Sequence, residues 1–545
     1  MNRRNPTAAL VFLLTTSFYV FTLSPSLAWG DGVKLQTEAI TGESFVLSEM
    51  TLEEFSPDPF IFSKVGVAAW DHPLYIMLGY GLVNALPSVN SLWLVNLLSA
   101  VFGAASAALL FIVAHRLTDS IAASCFAAFA LAVSHTFWWH SSTPEVYTLF
   151  VFLLLAGYIL LDGYEKTGRA AFLFAGALVL GLAASNHILA FLAIPAFVLY
   201  FLIAKKIPRF DSKAAKKALI GAAGFLAGFS LYIVQFIRAS GNFSVNETVG
   251  PALGSTFLSR LDFFSPVILG SSLLTYASFL AFQFGPIGII LGLLGVRRVF
   301  ADTEPSTRKA FAFFIVFMIF GVFYRVTDQF AFFLTSYIFF AILMAIGTSH
   351  ALTALRTTPR FLLTFILFLT ILLTPPFYRL VPALARQNGI GDSLLGIPQI
   401  GTGLRDGFAY YIDPNKRGDF DAYNFGSQTM RGLAPDSIVI AEWYADTDEY
   451  FILRYFYKVE KMRPDVTILG WHTEDPFSFD SQLVLDVIAD SFPARPVYLA
   501  SLSDQYYAAS KLISDYCIVP ENNLYRLYER SNAALSCLSP DSVTD

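Results

Sequence analysis

From residue 8 to residue 378 the chain alternates long apolar runs with short polar connectors. Eleven runs cover approximately 8–28, 92–114, 120–137, 146–161, 170–185, 188–204, 218–237, 272–296, 310–324, 330–348 and 361–378. About 20 helical residues cross a hydrocarbon core, so each run, allowing for tilt and soft ends, predicts a membrane-spanning helix. Gly224 with Gly228, and Gly288 with Gly292, are spaced to let helices approach closely.

The pattern changes near residue 382. Strand-like DSIVIAEW, DVTILGW and RPVYLAS alternate with helical EYFILRYFYKVEKM, SQLVLDVIADSF and DQYYAASKLISDY, and CIVPENNLYRLYE follows. Such alternation predicts βαβ units and a mostly parallel sheet. The organisation expected is a polytopic α-helical membrane domain over 1–381 and an α/β domain over 382–545.

Composition agrees: 55% of residues are hydrophobic, 14% are charged and the mean hydropathy is +0.57, against about 25% charged residues in soluble domains. A net charge of -5 without a basic stripe sets nucleic-acid partners aside. With the N-terminus in the cytoplasm, the inner loops carry seventeen Lys and Arg and the outer loops five, Lys34, Lys64, Arg238, Arg260 and Arg325. That bias predicts an N-terminus inside and a C-terminal domain outside. Arg3, Arg4 and Ser26-Leu27-Ala28 also fit a cleaved signal peptide, but the apolar core is at the long limit for one. Cys517 and Cys537 share the outer domain, where a disulfide can persist; their spacing alone leaves the pairing open.

The middle thirds of the eleven runs hold no Asp, Glu, Lys or Arg. Ionisable residues gather instead on the outer side: Asp31, Asp71 and His72 in WDHPLY, His135 and His140 in SHTFWWHSS, Glu145 in STPEVY, His187 in ASNH, Arg238, and Arg325 with Asp328. Seven segments thus deliver carboxylates, imidazoles and guanidinium groups to one face, a candidate active site. Each has a plainer reading. Asp31 could be a helix cap, His187 could bond a neighbouring carbonyl, and Arg238 could anchor a helix at the interface. A plainer reading of Asp71 and His72 is that they open an amphipathic stretch, HPLYIMLGYGLVNALP, of the kind that lies on the membrane instead of crossing it. Trp138 and Trp139 read as an interfacial aromatic belt.

In order along the chain, AWGDG, DHPLY, NLLSAVFGA, SHTFWWHSSTPEVYTL, the NH pair of LGLAASNHILA, Arg238 at the tail of the seventh run, TDQFAFFLTSY and MRPDVTILG resemble a family of bacterial membrane proteins. That family is related to the transmembrane O-mannosyltransferase of the secretory pathway, in the GT-C class of polyprenyl-phosphate-sugar glycosyltransferases. Two features depart from it: the DHPLY segment lacks the usual Pro-Pro-Gly-rich form, and no tetratricopeptide repeats follow.

The resemblance implies an enzyme of the bacterial inner membrane that transfers a sugar from a lipid-phosphate carrier to a protein or glycan acceptor on the outer side. It implies an Asp in the first outer loop as general base, which is Asp31 here. Arg238, Arg325 and His187 are then candidates for the donor phosphate, and Glu145 and His72 for orienting sugar or acceptor. No cofactor is expected; a divalent metal beside two carboxylates would suit the chemistry, but no ligand spacing calls for one. Two other classes remain. A transporter of lipid-linked glycan would be expected to show internal repeats and polar residues within spans, and a receptor or scaffold would not need polar residues converging on its membrane part.

Overall fold

The computed structural model describes residues 4–42, 72–206, 211–240, 266–301, 305–324, 326, 329–390, 407–442, 449–471, 481–531 and 535–543. Every apolar run of the sequence coincides with a helix or a bent helix pair. In chain order the helices are α1 (Arg4–Thr22), α2 (Asp31–Thr41), α3 (Pro73–Ala85), α4 (Ser91–Thr118), α5 (Ile121–Ala132), α6 (His135–Ser142), α7 (Val146–Thr167) and α8 (Ala170–Asn186). After a 3-10 turn, Ile188–Leu192, come α9 (Ala193–Ile203), α10 (Ser212–Ser240), α11 (Pro266–Ala301), α12 (Pro305–Phe323), α13 (Gln329–Ala354) and α14 (Thr357–Gln387). Among the described residues seven helices are long and apolar enough to cross a membrane, and α5 with α6, bent by 61°, makes an eighth. Shorter apolar helices, Pro6–Thr22, Ala170–Asn186 and Ile188–Ile203, account for the other three runs.

Small residues set how closely these helices pack. A Cβ on Gly224 would stand 2.5 Å from the Phe174 carbonyl oxygen, and Gly181 and Gly228 likewise face backbone, so α8 and α10 touch main chain to main chain. Gly292 lies under the Phe340 ring and Gly288 against Met344, which seats α11 on α13. The first helix is part of this core. Tyr19 is fully buried and its hydroxyl donates to the Ala132 carbonyl at 2.8 Å.

At one end of the bundle Lys309, fully buried at the start of α12, pairs with Asp162 at 3.4 Å and Glu165 at 3.2 Å. Lys166 and Arg116 also reach Asp162, at 2.9 Å and 3.8 Å. Lys309 is one of the seventeen cations assigned to inner loops from the sequence; it is buried instead, where the start of α12 meets the acidic end of α7.

Trp138 and Trp139 are not an interfacial belt. Both are buried, and Trp138 Nε1 donates to Thr22 Oγ1 at 2.8 Å. The α5–α6 bend turns α6 inward, beneath α1 and the segment that enters the outer domain.

The C-terminal domain opens with α15 (Gly407–Ile412) and α16 (Asp421–Gly432) and then alternates as the sequence predicts: β1 (Ile438–Glu442), α17 (Glu449–Lys458), β2 (Thr467–Trp471), α18 (Gln482–Ser491), β3 (Val497–Leu499), α19 (Asp504–Tyr507), α20 (Ala509–Asp515), β4 (Tyr516–Glu521) and β5 (Leu524–Glu529). The sheet order is β2-β1-β3-β5-β4, with β1 parallel to β2 and β3 but β5 antiparallel to both β3 and β4, so the sheet is mixed and not mostly parallel: a tight hairpin, with no crossover helix, joins the last two strands. Asn522 and Asn523, at φ 55° and 66°, form its two-residue turn. Cys517 and Cys537 are joined in a disulfide.

This domain is seated on the membrane part. Leu27, Trp29 and Val33 share one hydrophobic core with Phe425, Phe451, Leu453 and Tyr498, and the Trp29 and Phe425 ring centroids are 5.8 Å apart. Buried Lys416 donates from its backbone to Thr22 and from Nζ to the Asp413 carbonyl at 2.6 Å.

Candidate active site at the outer end of the bundle

The segment between α1 and α2 is a strap held by two buried amides. Asn96 Nδ2 donates to the Ser24 and Ser26 carbonyls at 2.9 Å and 3.1 Å. Gln36 accepts from Ala28 N–H at 2.9 Å and donates from Nε2 to the Ser26 carbonyl and to Asn96 Oδ1. The strap ends at Gly30, whose φ of 68° suits glycine, and α2 begins at Asp31. A Cβ on Gly32 would lie 3.1 Å from Pro144 Cγ, so the start of α2 rests on the turn before Glu145.

Asp31 is not a cap. Gly30 occupies the N-cap position, and Asp31 forms no hydrogen bond or ion pair with any described residue. The side chain is exposed yet closely surrounded by protein, as in a cleft open on one side. That surrounding mass raises its carboxyl above the ordinary aspartate range, while Lys34 pulls the other way.

His72 precedes α3 and its Nδ1 donates to the Asn186 carbonyl at 2.6 Å. His187, in the turn after α8, receives Leu189 N–H on Nδ1 at 3.2 Å. The two rings stack, with centroids 5.4 Å apart and 22° between planes. Desolvation holds His72 down to about 4, and Lys34 adds to the depression, so His72 is neutral at neutral pH. Lys34 therefore acts on both Asp31 and His72. Tyr147 lies 5.2 Å from His187 and 4.9 Å from His140, centroid to centroid. Both His140 nitrogens are buried without a partner among the described residues.

Glu145 is placed by its backbone, which exchanges hydrogen bonds with Ser99 Oγ at 2.9 Å and 3.0 Å. The Tyr75 hydroxyl sits 2.9 Å from Ser99 Oγ, within electrostatic reach of Glu145. Asp31, His72, Glu145 and His187 thus stand at one end of the bundle. Asp162 is at the other end of α7, about 24 Å away at 1.5 Å per residue. Arg238 lies in the last turn of α10 with its side chain outside the described residues, and Arg325, Asp71 and Asp328 fall outside them altogether. Gln36, Asn96, Ser99 and Tyr75 were not singled out in the sequence; Asn96 stands at the head of the NLLSAVFGA motif, which was. Among the described residues no three His, Cys, Asp or Glu side chains gather as a metal site.

Residues 71–209 match the family model described as the protein O-mannosyl-transferase TMEM260 N-terminal domain. That segment carries His72, Glu145 and His187. The whole fold is similar to two structures of ArnT from Cupriavidus metallidurans. One is bound to undecaprenyl phosphate (12% identity, 96% of this chain and 98% of that chain, TM-score 0.57), and one is in the apo state (13% identity, 95% and 97%, TM-score 0.58). The chain thus has an ArnT-like fold over nearly all its length, and within that fold residues 71–209 are similar to the protein O-mannosyl-transferase TMEM260 N-terminal domain.

Proposed function

We propose that the protein transfers a sugar, mannose on the strength of the matching domain's description, from a polyprenyl-phosphate carrier to a hydroxyl of a protein or glycan outside the cytoplasm. The ArnT structure that holds undecaprenyl phosphate supports a lipid-phosphate donor. In this reading the acceptor hydroxyl gives its proton to the Asp31 carboxylate as its oxygen bonds to the anomeric carbon. The bond from that carbon to the phosphate breaks, and its electron pair leaves with polyprenyl phosphate. Inversion at the anomeric carbon is what the class implies. His187, Arg238 and Arg325 serve the phosphate, and Glu145 and His72 orient sugar or acceptor. The mechanism requires no metal.

The observation that carries this reading is Asp31 itself: a carboxylate at the start of a helix that caps nothing, is exposed in a cleft, and rests on a strap built from two buried amides. A positioned general base contributes roughly 10² to 10⁴ in rate. Asp31→Asn keeps size and polarity, so it should retain folding and lipid-donor binding while cutting turnover by roughly 10² or more. Turnover close to wild type would remove Asp31 from the mechanism.

A further inference from the structure

The stacked imidazoles of His72 and His187 differ in one respect that their hydrogen bonds fix. The Asn186 carbonyl can only accept, so His72 carries its proton on Nδ1 and keeps a lone pair on Nε2. Leu189 N–H can only donate, so His187 has no proton on Nδ1 and carries it on Nε2. One backbone turn, 186–189, therefore holds both Nδ1 atoms and sets the two rings in opposite tautomers. Protonating His187 would break its bond to Leu189, and protonating both would stack two cations 5.4 Å apart. The pair stays neutral, with one donor and one acceptor left over.

Those leftover atoms are unused. Neither Nε2 bonds a described residue. Tyr147, Phe150 and Phe332 wall His187, at centroid distances of 5.2 Å, 5.8 Å and 6.2 Å, and an apolar wall strengthens any hydrogen bond made beside it. Plain packing would not require two ring nitrogens of opposite polarity side by side, near a Lys34 whose charge also reaches Asp31.

We propose that His72 and His187 are a two-point hydrogen-bonding clamp for the lipid-linked donor, resting on the glycosyltransferase reading above: His187 Nε2–H donates to a phosphate oxygen, and His72 Nε2 accepts the sugar hydroxyl next to that phosphate. A glycosyl phosphate offers this pairing, an acceptor-only phosphate beside a hydroxyl that can donate. A bare polyprenyl phosphate offers only the first half. His72 is then a specificity residue for the sugar, and His187 a residue for the phosphate common to every such donor.

The test measures binding of short-chain polyprenyl phosphate, polyprenyl-phosphate mannose and its 2-deoxy analogue to the full-length protein in lipid nanodiscs. His187→Phe should weaken all three about tenfold, the scale of one hydrogen bond to a charged group. His187→Gln, whose amide N–H can stand near the lost Nε2–H, should recover much of the loss and shows that the Phe variant has not simply misfolded. His72→Phe should weaken only polyprenyl-phosphate mannose, and in that variant the 2-deoxy analogue should bind as well as the parent sugar lipid. Equal loss on all three ligands in His72→Phe, or no loss in either Phe variant, overturns the clamp while leaving the function standing. Mannose lipid binding wild type no better than bare polyprenyl phosphate overturns the His72 half of the clamp. Wild-type protein that binds none of the three overturns the function and the clamp with it.

Discussion

Gln36 Nε2 donates to Asn96 Oδ1 at 2.8 Å, and through this contact an amide in the first outer helix and an amide in the next long helix together hold the loop that ends at Asp31. Both side chains are fully buried and their other bonds go to the carbonyls and N–H groups of residues 24–28. The contact is therefore a support for the proposed base. Asn96→Ala strands the Ser24 carbonyl and one N–H of the Gln36 amide, at a cost of about 1–3 kcal/mol for each group left buried and unpaired. Turnover should fall while donor affinity changes little. Thermal unfolding in detergent together with steady-state kinetics would read both effects; an equal loss of donor affinity would mean that the strap supports the whole site and not Asp31 alone.

The raised carboxyl of Asp31 has a direct kinetic expression. A base must be ionised, so activity is lost as pH falls through its pKa, and that pKa lies above the ordinary aspartate range. The acid limb of kcat/KM should therefore lie above the ordinary aspartate value of about 3.9. His72, at about 4, is the neighbour whose protonation could imitate it, and Lys34 is the charged group that acts on both. The limb should persist in His72→Phe, and an acid limb at or below the ordinary aspartate value would count against the base.

Lys309 is a stability prediction. Its ammonium is fully buried and neutralises Asp162 and Glu165 while lying 5.0 Å from the Tyr158 ring centroid. Lys309→Met keeps the chain length but leaves the acids short of a partner, and removing one member of a buried pair costs about 3 kcal/mol or more. Unfolding in detergent should report that loss, and Lys309→Met with Asp162→Asn should recover part of it. A single variant as stable as wild type would show that Lys166 and Arg116 suffice.

Orientation is the fourth. Basic residues of the α9–α10 connection and the start of α10 predict that residues 205–217 lie inside, and on that expectation a reporter active only outside the cytoplasm should fail when fused at Ser212 and work when fused after Asp545. The reverse pattern would put Asp31 on the wrong side for an extracytoplasmic acceptor.

The bundle was legible because run length is a one-dimensional signal. All eleven runs are helical, and the α/β alternation after residue 436 holds element by element. The site was legible only where chemistry showed as charge or imidazole at a run's end, as at Asp31, His72 and His187. Gln36, Asn96 and Ser99 escaped because an uncharged polar side chain within an apolar segment looks like tolerated noise until its partners, up to 72 residues away in the chain, are known. Trp138 and Trp139 misled for a related reason: two adjacent tryptophans at the end of a run suit an interface equally well whether the helix continues straight or bends by 61° into the core.

The core that Leu27, Trp29 and Val33 share with Phe425, Phe451 and Tyr498 means that the outer domain is not a detachable module. The helix that bears Asp31 faces two ways, with Leu35 and Ala39 in the bundle and Val33 in the outer domain. Cutting the chain between the two parts would leave a soluble fragment with a greasy wound and an enzyme without its roof. Insertions, tags or exchanges with related outer domains would be tolerated at the far rim of the sheet, near the disulfide, and punished at the face toward Trp29. Variation in the outer domain therefore reaches the chemistry through the pitch of one short helix.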